Sequence, residues 1–420
     1  MSSVPPAAAR FRLPAGVSFW VMAAAYLGLM LAASAPSPLY VVYQHRFGFS
    51  ALTLTMIFGV YALVLLAALL TVGGLSDFVG RKPVLLASFA LMVVSMLVFA
   101  RASGVAWLYA ARILQGIAAG SSLGAVSAAL IDYASPRQLP LAALMTSLIP
   151  SIGLALGAAV AGGLVQFAPD PTVLVFVLLA IAFLATMVAI ALAGETVPRR
   201  PVGWRALRPR VAVSRAARSE FASLVPALVA PWAQMGFTLS LTTTLAAVWF
   251  GITDRFLEGL VVAAVCGFAA VATLATRRVP PPLAIAAGCA GLIAGAAITL
   301  VSLAGPWDVP FYLGSALTGL GAGATLGAVM RALAVLPAPA ERGEFFAAVY
   351  VVGYLAFSLP AVIAGIFVVH TGLLTTTIGY GIGVSILSLA AIGYALRSLG
   401  RTRTGAARAE PAPATVVNGG

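Results

Sequence analysis

Charge is what this sequence has least of. Only 8% of its 420 residues are Asp, Glu, Lys or Arg, against about 25% in an average soluble domain. So few ionisable groups cannot cover a water-facing surface of this size, which excludes a soluble enzyme or carrier. Cysteine is nearly absent too. Cys266 and Cys289 both fall inside apolar runs and read as small buried side chains, not as a disulfide framework. The two histidines, His45 and His370, lie near the ends of such runs, and no Asp or Glu lies well inside one. Without a His/Cys/Asp/Glu cluster there is no metal ligand set and no acid–base pair. Nor is there a Gly-rich phosphate loop followed by Lys. The reading is of a protein that is not an enzyme and takes no cofactor and no metal. A sensor would need a sizeable soluble module, and the longest polar segment, residues 194–220, is too short for one.

Apolar residues fill the chain instead, at 62%. Charges and turn residues cut it into twelve runs: 17–42, 51–73, 83–101, 105–131, 139–166, 171–193, 221–250, 257–276, 282–304, 309–334, 344–369 and 372–396. Each is long enough to cross a bilayer core as a helix, which needs about 20 residues. The first run, Val17 to Val42, follows Arg10 and Arg12 but is too long for a signal-peptide core, so it reads as a span. Pro36, Pro38, Pro150, Pro226, Pro231 and Pro360 interrupt these runs, as membrane helices tolerate when neighbours satisfy the backbone groups set loose.

With the N-terminus placed in the cytoplasm, 20 basic residues fall in inner segments and 3 in outer loops (Arg46, Arg101, Arg255), leaving Arg112 within a span. That bias puts both termini inside. The net charge of +13 is spread beside the spans, where anionic lipid headgroups meet it. A nucleic-acid-binding face would concentrate it. A single Lys against 23 Arg, with heavy Ala and Gly use, fits a GC-rich bacterial genome and hence the inner membrane of a bacterial cell. The division expected is a cytoplasmic segment 1–16, a six-helix half 17–193, a basic linker 194–220, a second half 221–398 and a disordered tail 399–420. The linker holds seven Arg between Arg199 and Arg218, and Trp204 lets part of it lie at the interface as a short amphipathic helix. The protein is expected to be monomeric, with membrane lipids around it.

An internal repeat supports two halves. Residues 109–130 align with 312–333 at 11 of 22 identical positions, pairing Gly116 with Gly319, Gly120 with Gly323 and Gly124 with Gly327. The glycine spacing is more telling than the count. The fold class is therefore all-α integral membrane, with twelve transmembrane helices in two pseudo-symmetric six-helix bundles.

One stretch carries a more specific signal. Gly73, Asp77, Gly80, Arg81 and Lys82 form a tight, charged turn between two uncharged runs, with Asp77 one helical turn before Arg81. This resembles the loop signature between the second and third helices of the major facilitator superfamily, except that Phe78 stands where the family has a basic residue. A worn copy, ending in Arg277 and Arg278, lies 196 residues later. The resemblance implies a twelve-helix secondary transporter working by alternating access, and a conformational latch. Asp77 would face the start of the eleventh helix near Glu341–Phe346, and Arg81 would pair with Asp132.

Arg112, Gln115 and Gly116 resemble the family's signature in the fourth helix, where the Arg is implicated in proton coupling. Arg112 lies about 10 Å deep by helical rise, a costly place for charge and by default a functional one. It either couples protons, snorkels outward, bonds to Gln115 and backbone, or meets an anionic substrate group. Gly153, Gly157, Gly162 and Gly163 resemble the glycine-rich antiporter signature of exporters in the family, with Ala158 where that signature has Pro. Close helix packing through small residues explains them equally. Pro360 is a plausible hinge. Tyr26, Tyr40, Trp232, Gln234, Tyr350 and Tyr354 are candidates for the central cavity. The expected function is efflux of a small organic substrate by antiport with protons. The alternative is uptake of a small metabolite by symport or uniport.

Overall fold

The computed structural model describes residues 13–198, 201, 208–305 and 307–409. Arg10, Arg12, Arg199, Arg200, Trp204 and Arg205 lie outside the described residues. The helices are α1 (Ala15–Ser34), α2 (Pro36–Phe47), α3 (Ala51–Thr71), α4 (Ser76–Val79), α5 (Arg81–Ala100), α6 (Val105–Asp132), α7 (Leu139–Phe167) and α8 (Pro171–Leu192). After the linker come α9 (Arg215–Ser240), α10 (Thr242–Trp249), α11 (Arg255–Ala275), α12 (Pro281–Ser302), α13 (Asp308–Ala334), α14 (Arg342–Thr371) and α15 (Leu373–Ala409). No strand occurs among the described residues. Among the described residues, twelve spans are long and apolar enough to cross a membrane, the first being α1 and α2 together. The last helix runs on to Ala409, past residue 399 where the tail was expected to begin. Residues 410–420 lie outside the described set.

Local chemistry sets the helix ends. Ser50 caps α3 by accepting from the Thr53 N–H at 3.3 Å. Asp254 caps α11 by accepting from Phe256 and Leu257 at 2.8 and 3.1 Å. Gly48 and Gly372 end α2 and α14 with φ of 65° and 83°, a region that favours glycine.

Packing repeats between the halves. In the first, α6 packs on α3 and α5, α5 on α8, and α1 on α6, α7 and α8. In the second, α13 packs on α11 and α12, α12 on α15, and α9 on α13, α14 and α15. The paired glycines explain the correspondence. A Cβ on Gly120 would lie 2.3 Å from the Leu65 carbonyl oxygen on α3, and one on Gly323 would lie 2.0 Å from that of Ala269 on α11. Both faces exist so that two backbones can touch, the means by which membrane helices associate when lipid is as apolar as leucine. The outward residues are apolar as well: Ile181, Val188 and Ile386 are 58%, 54% and 60% exposed, as lipid contact requires.

The halves meet through α3 against α14, α7 against α11, and α2 against α10 and α11. One face of the bundle carries the start of α1, the α4 turn and the linker, and is called here the basic face. All cross-half hydrogen bonds among the described residues lie toward the opposite face. Ser37 Oγ donates to Leu239 O (2.9 Å), Thr243 Oγ1 to Ser37 O (3.3 Å), Thr244 Oγ1 to Gln44 Oε1 (3.4 Å) and the Arg255 N–H to Gln166 Oε1 (2.8 Å).

Gly162 and Gly259 seal the α7–α11 crossing there. A Cβ on Gly259 would lie 2.5 Å from the Ala158 carbonyl oxygen. Gly259→Val is expected to destabilise the folded protein by about 1–3 kcal/mol through overpacking against backbone that cannot yield. A lower melting temperature in detergent checks this, and an unchanged one would count against close approach at this crossing.

Candidate functional site

The site begins with a proline. Pro36 has no N–H, so the Ala32 carbonyl four residues earlier loses its helical donor, and the first span divides into α1 and α2 at Ala35. In hydrocarbon such a carbonyl must find another partner. Gln115 on α6 supplies it, its Nε2 donating to Ala32 O at 2.8 Å. Arg112, one turn earlier on α6, donates from Nη1 to Gln115 Oε1 (2.7 Å) and to Ala33 O (3.3 Å), and from Nε to the Tyr40 hydroxyl (2.6 Å). Arg112 and Gln115 are 0% and 1% exposed. Their neighbour Gly116 lets α6 approach the Tyr61 carbonyl of α3. The guanidinium also lies 4.8 Å from the Tyr61 ring centre, 5.5 Å from Tyr40 and 5.8 Å from Phe99, within cation–π range.

An aromatic cluster lies beside this knot, between the two halves. Trp232 on α9 packs against Tyr354 of α14 at 5.0 Å and edge-on to Phe357 at 6.0 Å. Phe357 reaches across to Phe58 of α3 at 4.8 Å, and Tyr350 lies 6.4 Å from Tyr354. Tyr26 of α1 and Tyr61 of α3 complete the group, close enough to act electrostatically on Tyr354. Among the described residues the hydroxyls of Tyr26, Tyr61, Tyr350 and Tyr354 make no hydrogen bond, and none is sealed from accessible space.

Four of the six cavity candidates therefore come together: Tyr26, Trp232, Tyr350 and Tyr354. The other two do not join them. Tyr40 is 0% exposed and is committed to Arg112. Gln234 instead lines a small pocket within the second half, about 30 Å³, with Thr238, Thr299 and Ser315. Phe58, Tyr61 and Phe357 were missed. The available signal was Gly59, against which a Cβ would meet Val362 at 2.7 Å, marking the face of α3 that turns to α14. A larger cavity of about 570 Å³ lies between α9, α14 and α15, lined by Pro360 and by the half-exposed Ile363 and Phe367.

The glycines of α7 are packing surfaces on two sides. Added Cβ atoms on Gly153 and Gly157 would strike α1 at Met30 and Leu31, while Gly162 and Gly163 face α11.

At the basic face, Arg81 ties several elements together. Its Nε donates to Asp132 Oδ2 at 3.3 Å and its Nη1 to Ser76 Oγ at 2.8 Å, and it pairs with Asp77. Glu195, unrecognised as a site residue from sequence, accepts from the backbone N–H groups of Arg81 and Lys82 at 2.9 and 3.1 Å, a carboxylate at the positive end of α5. Lys82 Nζ donates to the carbonyls of Ala191 and Ala193 at the end of α8, where a cation is favoured. Gly80, at φ 101°, passes so close to Glu195 that a Cβ would lie 2.5 Å from Oε2. Gly73 packs a bare backbone against the Leu69 carbonyl. Nearby, burial, with Glu195 and Asp132 alongside, holds the Tyr133 phenol above its ordinary range. All these contacts stay in the first half and its outgoing connection. The structure does not bring Asp77 to the start of α14. Glu344 there meets Arg210 at 3.9 Å and its carbonyl accepts from Ala212, both from the linker. The physical reason is that the hydrogen-bonded contact between halves lies at the opposite face.

A family sequence model described as Major Facilitator Superfamily matches residues 22–359. No curated protein sequence matches the chain. Among solved structures, a peptide transporter POT in complex with alafosfalin superposes with a TM-score of 0.74 at 15% identity, covering 91% of this chain and 95% of that one. The nucleoside transporter NupG gives 0.69 at 12%, covering 90% and 99%. The human organic anion transporter TETRAN gives 0.64 at 18%, covering 90% and 100%. These likenesses concern the fold.

Gln115→Leu strands the Ala32 carbonyl and one Arg112 N–H. The expected loss is about 1–3 kcal/mol per buried group left unpaired, read as a lower melting temperature in detergent, whereas Gln115→Glu, which keeps an acceptor for Arg112, is expected to lose less.

Proposed function

Because the chain belongs to the major facilitator superfamily, we propose that it is an exporter of a small organic molecule, working by alternating access in exchange for protons. The observation that carries this reading is the placement of the aromatic cluster. It draws on α1 and α3 of one half and α9 and α14 of the other, while the cross-half hydrogen bonds lie on one side of it. Rocking the halves would break those bonds and expose the cluster to the opposite face. In the alternate state, with the basic face closed, Asp77 meets the first turn of α14, where a carboxylate is favoured. The Arg81–Asp132–Glu195 cluster keeps the α4 turn in shape for that contact. The basic face is cytoplasmic and the membrane is the bacterial inner membrane, on the charge bias of the loops.

Efflux rests on the glycine stripe of α7. The second reading is uptake by symport or uniport, favoured by Ala158 standing where the antiporter signature has Pro.

Reconstitution of the full chain in proteoliposomes tests both. Saturable flux is expected, faster with an opposing pH gradient, and lost in Arg112→Ala protein that inserts normally. Flux indifferent to the gradient would remove protons from the cycle, and no flux across a broad panel of organic solutes would sink the transport reading.

A further inference from the structure

Arg112 is a buried cation without a counter-charge. None of the ion pairs among the described residues includes it, and its Nη2 has no hydrogen-bond partner. Its other contacts are neutral: a phenol, an amide and a peptide carbonyl. The surrounding rings soften the cost through their π faces but carry no net charge. A positive field therefore persists in a region of low dielectric, where it reaches further than in water.

That field falls on the aromatic cluster. Tyr61 packs its ring on the guanidinium and belongs to the same buried cluster as Tyr354. The polar atoms the cluster offers are hydrogen-bond donors or amphoteric hydroxyls. The Trp232 indole N–H, donor only, is buried with no acceptor, and the four tyrosine hydroxyls have no partner among the described residues. No carboxylate among the described residues answers them. The sequence has 11 acids, and every described one lies in a loop or near a helix end. The one buried acid among the described residues, Glu258, sits at the start of α11 and is paired with Arg255. A cationic solute would find no counter-charge here, and a purely apolar one would leave the donors unanswered.

We propose that the solute bound between the halves is an amphipathic organic anion, its apolar or aromatic body against Trp232 and Phe357 and its anionic group toward Tyr61 and the Arg112 charge. The donors then gain an acceptor and the buried cation a counter-ion in a single binding event. The arginine-rich basic face would raise the local concentration of such anions at the mouth on that side. This assignment rests on the transporter reading and adds to it the charge of the cargo.

Three probes of one shape test it: 2-naphthoate, neutral 2-naphthamide and 2-naphthylmethylammonium. Each is titrated into the purified full chain in detergent, with thermal stabilisation giving the dissociation constant. Naphthoate is expected to bind at least tenfold more tightly than the amide, and the ammonium most weakly. Arg112→Lys, which keeps the charge, retains the preference, and Arg112→Gln loses it. Tyr61→Phe, which keeps the ring on Arg112, weakens naphthoate more than the amide. Equal binding of anion and amide, tighter binding of the cation, stabilisation by none of the three, or a preference that survives Arg112→Gln overturns the proposal. Should Arg112→Gln fail to fold, the wild-type charge series decides alone. Saturable flux of a cationic solute would sink the charge assignment and leave the transporter reading standing. Tight naphthoate binding with no flux of any solute would do the reverse.

Discussion

Bare backbone against bare backbone is the contact on which this bundle depends. Its helices are apolar on nearly every side, so burying apolar surface does not tell a neighbouring helix from lipid. Shape has to make that distinction. Gly120 against α3, Gly323 against α11, Gly157 against α1 and Gly162 against α11 each leave room only for a hydrogen atom. Such contacts bring many atoms to van der Waals distance at once, each worth little and together enough to select one partner. The same device joins helices within each half and across the two halves, and only the second kind has to part when the protein changes state.

A second constraint follows from hydrocarbon as solvent: no peptide group can go unpaired. Pro36 in the first span breaks that rule at Ala32, and α6 repairs it with Gln115, while Arg112 adds a bond to the neighbouring Ala33 carbonyl. An amide alone would serve for Ala32. The arginine goes further, because its three hydrogen bonds leave one nitrogen and one full charge unanswered. A charge that only repaired backbone would be a costly choice next to a second glutamine. Its place beside Tyr61, at the border of the cluster shared by both halves, is where a solute would meet that charge.

The loop at α4 shows a similar economy on the basic face. Arg81 gathers Ser76, Asp77 and Asp132, while Glu195 caps α5 from the connection that leaves the first half. The turn is thus held from three directions before the second half is involved, and Gly80 is required both for its positive φ and for the passage of the Glu195 carboxylate. Phe78 occupies the half-buried position where the related signature has a basic side chain. The turn keeps its shape without that charge because its hydrogen bonds come from Arg81, Lys82 and Glu195.

Span number, the two-half plan and the paired glycines were legible in the sequence, because hydropathy over about 20 residues and exact spacing along one chain are local properties. Arg112 stood out for the same reason, as a charge where none should be. The cluster was only half legible. Tyr26, Trp232, Tyr350 and Tyr354 were visible as aromatic residues in mid-span, but an all-apolar helix has no polar face to reveal which side turns inward. Tyr61, Phe58 and Phe357 therefore carried no signal of their own, Tyr40 read as cavity lining, and nothing in the sequence set Glu195 apart. Only the tertiary structure decided those places, since each depends on how helices far apart in sequence rotate against one another. By itself the sequence determined what crosses the membrane and where the chain must turn. Which residues share the space between the halves was decided by glycine contacts and by hydrogen bonds spanning up to 206 residues.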